Sequence, residues 1–549
     1  MFSNRQSILV LAALTAAVAS AADANSRADI PTAQGKFLND DPLWKEPKPQ
    51  SVAQVKSIQI DELYDFIKES FAVPHHVKKV NRAGKEAAQN TNTLGEVPDS
   101  DWYTNRHVHG RMSIDDLVRG AGNANPPDPE GRWKIISAKT DGVTPGFTVE
   151  DAHGNRYLLK FDPPDYPELA SAADVIGSKM FYALGYNTPE NYIAYFHREQ
   201  LALTDHSAWR DRVGKKHVMS QELVDKWLVT QPKDSQGRYR AMASRLIGGK
   251  IAGPFEFEGT RADDPNDIVP HELHRELRGM AVFSAWLNDT DAKSINTLDS
   301  LVDEGGVNFL KHYRIDWGAS LGSDSVRPKD IRRGHDYLVD ARATTIQAFS
   351  FGFYLPEWMR AHYPNIRGVG TFDFESFDAA HWHSNYPVTP YLLMDDEDAF
   401  WAAKQVMAFS DQEIRAIVET AQFSDPRATD WVTECLIKRR DKIGKTWLAR
   451  GLALDGFRVE QDRLAFEDLA EKYKVSPTRS YSVQWSEFDN TTREKRPIES
   501  AGNSFAIPAG ELCNFLAATI RAGSTAGVDV YLRRTANGWD IVGVDRHYE

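Results

Sequence analysis

Residues 281–322 set the tightest limit on how this chain can fold. They read AVFSAWLNDTDAKSINTLDSLVDEGGVNFLKHYRIDWGASLG, apolar segments broken by two short polar clusters. The first cluster, Asp291-Ala-Lys293-Ser-Ile-Asn296, follows a run with helical spacing; the second, Asp316-Trp317-Gly318, follows the strand-like run 309–315. The stretch therefore reads as a helix and a strand, each running into a short polar loop.

The set is suited to positioning and charge neutralisation rather than to nucleophilic attack by the protein. Phosphoryl transfer asks for a carboxylate that accepts the attacking hydroxyl's proton and a lysine that offsets charge on the moving group. It also asks for an amide and a second carboxylate on a divalent cation. Asp291, Lys293, Asn296 and Asp316 supply these in that order. The pattern D-x-K-x-x-N followed by D-[FW]-G resembles the protein-kinase-like superfamily. The resemblance implies that Asp291 is the catalytic base, Lys293 the lysine on the transferred phosphoryl, and Asn296 and Asp316 the Mg²⁺ ligands. The departures are specific: no His-Arg precedes Asp291, Trp317 replaces Phe, and no Ala-Pro-Glu segment follows. They point to an atypical branch, HipA-like or secreted kinase-like. Asp289 is the rival acid, but only Asp291 has Lys two and Asn five residues later.

A first lobe is expected upstream. Strand patterns at 133–138, 147–149 and 156–161 are separated by turns at 141–146 and 151–155. Alternation in the third places Leu158 and Lys160 on one face, Tyr157, Leu159 and Phe161 on the other. A lysine on an inward face needs an anionic partner. The resemblance makes that partner nucleotide phosphate together with an acid on the next helix, patterned by Leu169, Ala173, Ile176, Met180 and Leu184. Asp174 lies where the family has Glu, and Glu168, expected to be exposed, is the competing choice. Gly142 and Gly146 are candidates for covering the phosphates, without the G-x-G-x-x-G spacing; a plain turn is the other reading.

Runs 192–196 and 238–247 read as further strands around a polar insertion, 200–237, and Gly248-Gly249 as a hinge. The loop with Arg261, Asp263, Asp264 and Asp267 reads as a solvated acidic loop. Pro270 opens the helix leading to Asp291; its His271 and His274 fall one residue short of a zinc-protease pattern. A basic stretch, 327–333, falls where a kinase-like fold presents substrate loops. His381 and His383 share a face if extended, but lack a third metal ligand. Helices are expected at 398–409, after a capping box at Ser410-Asp-Gln-Glu413, and from Pro426 to about residue 449. From about residue 480 the pattern is β, with a hairpin signal at Asn537-Gly538.

Charge and the ends bound the rest. Sixty-five basic against 78 acidic residues, net −13, exclude nucleic acid as a main partner, since phosphate binding needs a concentrated positive surface. Arg5, an apolar run 8–19 and Ala19-Ser20-Ala21 read as a secretory signal, residues 1–21, with no membrane span expected in the mature chain. The chain is therefore expected to be exported, periplasmic or extracellular. Two cysteines, Cys435 and Cys513, are too few for a Cys-based metal site and read as free thiols, a disulfide between them remaining open.

The expected architecture is α+β: a two-lobed kinase-like domain with a β-rich N-lobe, 131–247, and a helical C-lobe, 248–450. An N-terminal extension, 22–130, polar and rich in Pro, Asn and Asp with one amphipathic segment near 60–71, is expected to wrap the domain as a partly irregular segment, and a linker and small β module, 451–549, follow. The implied cofactors are ATP and Mg, with a protein, glycan or small-molecule acceptor. A non-catalytic kinase-like scaffold for an envelope ligand, and a nucleotidyl transferase using the same metal ligands, are the alternatives.

Overall fold

The computed structural model describes residues 35–548 except 84–85, 124, 140–145, 212–214, 351–352, 510–512 and 524–526. The expected signal segment and Gly142 lie outside the described residues. The fold is mixed α+β.

Seven strands form the first sheet: β1 (Trp133–Lys139), β2 (Gly146–Glu150), β3 (Arg156–Lys160), β4 (Asn191–Phe196), β5 (Leu201–Arg210), β6 (Lys216–Val218) and β7 (Tyr239–Arg245). Their order is β4-β7-β3-β2-β1-β5-β6, and only β1 and β5 pair in parallel. The Asp151 carboxylate closes the β2–β3 turn by accepting the His153 and Asn155 N–H groups at 2.9 Å each. One face of the sheet buries Tyr157, Leu159 and Phe161, as alternation along β3 predicts. The polar insertion expected at 200–237 instead supplies β5, β6 and a helix, Gln221–Leu228, whose Val224 and Leu228 cover that face. Its apolar residues are few but lie four apart, so average composition hid a well-aimed contact.

The other face receives helix α1 (Leu169–Ala183), through Val175 against Ile193 and Met242. Lys160 pairs in register with Met242, which pairs with Ile193, so all three side chains point toward α1. This register brings Lys160 to the helix.

A second sheet has the order β10-β9-β8, from β8 (Lys250–Gly253), β9 (Thr297–Glu304) and β10 (Val307–Arg314). Its hairpin keeps an unbroken register from Glu304–Val307 to Thr297–Arg314. Helix α2 (Arg275–Leu287) runs into the 288–296 loop and packs with α3 (Asp396–Met407) and α5 (Pro426–Trp447); α4 (Asp411–Glu419) packs on α5. Ser410 forms the capping box on α4, and Asp425 caps α5 with Pro426 in its first turn.

The C-terminal strands begin at Leu454, ahead of the expected 480. A hairpin, β11 (Leu454–Glu460) and β12 (Arg463–Asp468), shares one core with the five-stranded sheet β14-β13-β15-β16-β17, through Leu454, Leu464, Trp485, Leu516 and Val530. These strands are β13 (Ser482–Phe488), β14 (Lys495–Pro497), β15 (Phe515–Arg521), β16 (Val528–Thr535) and β17 (Gly538–Arg546). The β16–β17 turn pairs Thr535 with Gly538, so its tip is Ala536-Asn537, one residue before the expected site.

The extension ties these parts together. Phe37 is buried against Phe488, Tyr531 and Val542 of the C-terminal sheet. Further along, Val52 N–H donates to Asn308 O at 2.7 Å and Ile58 N–H to Ala252 O at 2.9 Å. Gly253 holds φ 88°, and a Cβ there would lie 2.0 Å from Ile58 O, so only glycine admits the crossing. Next comes a helical run, Glu62–Ile67 and Val73–Ala83 joined by a π turn, Lys68–Ala72. No helix of the described residues is long and apolar enough to cross a membrane.

Candidate functional site

The Lys160 ammonium lies between two carboxylates, 3.2 Å from Asp174 Oδ2 and 3.1 Å from Asp316 Oδ2. Burial works against its charge, but Asp174 and Asp316 outweigh burial and raise its pKa. Burial likewise raises the Asp174 carboxyl, against the pull of Lys160 and a 2.7 Å hydrogen bond from Trp317 N–H. Glu168 is not exposed. It is buried, accepting from Arg367 Nε at 3.1 Å and Ser424 N–H at 2.8 Å, which leaves Asp174 as the helix acid on Lys160.

Trp317 fixes the Asp316 segment. Its indole is fully buried, 5.3 Å from the Phe181 ring, and its Cβ would sit 2.5 Å from any Cβ added at Gly177 of α1. Glycine at 177 thus lets the ring lie on the helix. Asp316 itself takes the left-handed conformation, φ 61°, a cost this packing carries.

The β9–β10 register brings the second cluster alongside. Because Thr297 faces Arg314, Asn296 falls opposite Ile315, and Ile315 N–H donates to Asn296 O at 3.0 Å. Asn296 Nδ2 in turn donates to Asp291 O at 2.8 Å and Asp291 Oδ2 at 3.1 Å. Lys293 Nζ stands 3.4 Å from Asp291 Oδ1 and 3.4 Å from Glu62 of the extension helix. Asp289, the rival acid, is fully buried and paired with Arg314 at 2.8 Å, whereas the Asp291 side chain is 24 % exposed.

Residues remote in sequence complete the loop. Asn385 Nδ2 reaches Asp291 Oδ1 at 3.5 Å, and Arg333 holds Asn385 Oδ1 at 3.0 Å. Lys329 is buried, donating to Asn288 O, Thr290 Oγ1 and Ala319 O, and burial lowers its pKa to about 8. The basic stretch 327–333 was legible as a stretch; which of its members turns inward was not. Gly146 sits within β2, opposite Lys160 in the β2–β3 ladder.

Asn296 and Asp316 offer an amide oxygen and a carboxylate, hard donors of the kind Mg²⁺ takes when it keeps most of its waters and binds substrate phosphates. Among the described residues no cluster of three His, Cys, Asp or Glu makes an all-protein metal centre. His381 bonds Asp378 and His383 bonds the His381 carbonyl. The acidic loop is also not a solvated one: Arg261 is buried, paired with Asp299 and Asp263, and His271 with Asp267, each at 2.8–2.9 Å. Counting acids predicted solvation; the partners that bond them, buried Arg261 and His271, decided otherwise.

No protein-family model and no curated protein matches the chain. Among solved structures it is similar to the Golgi casein kinase. One crystal structure has a TM-score of 0.29 and 10 % identity, covering 75 % of this chain and 96 % of that one. Another, with Mn/ADP bound, has a TM-score of 0.22 and 10 % identity, covering 67 % and 97 %. Similarity of this degree shows neither fold nor function.

Proposed function

We infer that this chain is an atypical kinase-like phosphotransferase using Mg-ATP, with residues 131–247 as the N-lobe and 248–450 as the C-lobe. The observation that carries this reading is Lys160 on a sheet strand, held between a helix acid, Asp174, and Asp316, one residue from the backbone pairing with Asn296. In this reading Asp174 aims Lys160 at the α- and β-phosphates, which Gly142 and Gly146 are proposed to cover. Asn296 and Asp316 face the cation. Asp291, which unlike Asp289 reaches solvent, accepts the acceptor hydroxyl's proton, and Lys293 offsets charge on the transferred group. Bound Mg-ATP supplies the phosphoryl group and the divalent charge that neutralises it. The acceptor is a protein, glycan or small molecule met outside the cytoplasm, residues 1–21 directing export.

Nucleotide binding tests the reading. ATP at a hundred times its Kd stabilises the native state by about 2.7 kcal/mol, so the melting temperature rises with ATP only when Mg²⁺ is present. Lys160→Met and Asp316→Asn each abolish the rise. No rise with any nucleoside triphosphate over a full titration overturns nucleotide use and favours a scaffold.

A further inference from the structure

A cavity of ≈ 810 Å³ opens between the extension, the helical core and the C-terminal sheet, and shares no residue with the site above. Its volume is that of a small-ligand pocket. Its floor is an ion cluster that the phosphotransfer reading does not use. Lys404 and Glu96 are 4 % and 6 % exposed and bonded to each other; Lys404 also meets Asp455 at 3.1 Å, and His109 meets Glu96 at 3.4 Å. Burial would raise the Glu96 carboxyl, but Lys404 and His109 hold it down to about 2. A charge cluster this dry is costly to maintain, and packing alone is served as well by apolar side chains.

The wall chemistry narrows the ligand. Each wall cation carries its own carboxylate: Arg111 has Glu413 at 2.9 Å, Lys472 has Glu467 at 2.7 Å, and Arg440 has Asp441 at 2.8 Å. The wall therefore offers no surplus charge to draw in an anion or a cation. What it does offer is carboxylates beside guanidinium and ammonium groups, able to accept and donate to neighbouring hydroxyls. It also offers aromatic surface. Trp44 is 41 % exposed and propped edge-on by His109 at 5.1 Å, while Phe457 and Tyr473 line the cavity half-buried. Paired donors and acceptors beside the exposed Trp44 face and two half-buried rings suit a ligand with one apolar face and a rim of neutral hydroxyls. We propose that this cavity is a binding site for a neutral oligosaccharide, separate from the phosphotransfer site, with Trp44 stacking on a pyranose ring and Asp455 accepting from its hydroxyls.

The test titrates the full mature chain with maltohexaose, cellohexaose and chitohexaose by calorimetry, alongside a sulfated heparin hexasaccharide. At least one neutral hexasaccharide should bind saturably. Trp44→Ala should weaken it at least tenfold while leaving the melting temperature within a degree or two, its side chain being 41 % exposed; Asp455→Asn should weaken it likewise but lower the melting temperature, since it takes a countercharge from the buried Lys404. Unchanged binding of Mg-ATP by both variants would separate the two sites. The proposal is overturned if none of the three binds at millimolar concentration, if binding survives both substitutions, or if only the sulfated sugar binds.

Discussion

Asp289 and Asp291 lie two residues apart and meet opposite environments. Asp289 is wholly buried on Arg314; Asp291 reaches solvent beside Lys293 and Asn296. Asp289→Asn leaves the Arg314 guanidinium buried without its countercharge, which costs about 3 kcal/mol, so the variant should unfold at markedly lower denaturant concentration. Asp291→Asn should unfold with the natural chain, and equal midpoints for both variants would contradict this assignment. The spacing of Lys293 and Asn296 singled out Asp291 from sequence. The Arg314 partner was not legible, because it depends on the β9–β10 register, and neither was Asn385, 94 residues away from Asp291. Glu168 was misread for a related reason. Its neighbours Arg367 and Ser424 come from distant loops, and no local pattern announces them.

At the scale of elements, the strands around Lys160 and helices α2 to α5 followed from period and caps, whereas the extension helix did not. Residues 60–71 read as amphipathic, which predicts an inward apolar face. The structure instead exposes Leu63, Tyr64, Ile67 and Phe71 and buries Asp65 and Glu69. Contacts at its ends set this rotation: Glu62 on Lys293, Phe66 on Tyr386, and Val73 and Val77 against Leu393. Burial, reinforced by Asp65, raises the Glu69 carboxyl to about 8. The native chain then keeps a proton that the unfolded chain has released above about pH 4.5, so this contribution to stability falls as pH rises from there to about 8. Amide protection factors along Glu62–Ile67 should be lower at pH 8 than at pH 6, and Glu69→Gln should remove the difference. Equal protection at both pH values in the natural chain would refute it.

Across the whole molecule, the extension lies on the C-terminal sheet at Phe37, crosses the β8–β10 sheet at Val52 and Ile58, sets its helix against the Asp291 loop, and continues to Glu96 and His109 at the second cavity. Its polar, proline-rich composition indicated an irregular wrapping segment but not its route, since the route is fixed by partners from three separate parts of the chain. We propose that Asp291, in the loop beside the extension helix, is the general base for phosphoryl transfer. The most direct measurement follows the γ-phosphate of labelled Mg-ATP, with the purified chain alone and with a cell-envelope extract as acceptor source. The natural chain should transfer label, while Asp291→Asn should bind nucleotide alike and transfer at least ~100-fold more slowly, as loss of general-base assistance requires. Equal transfer by both proteins, or nucleotide binding with no transfer by either, would contradict the account.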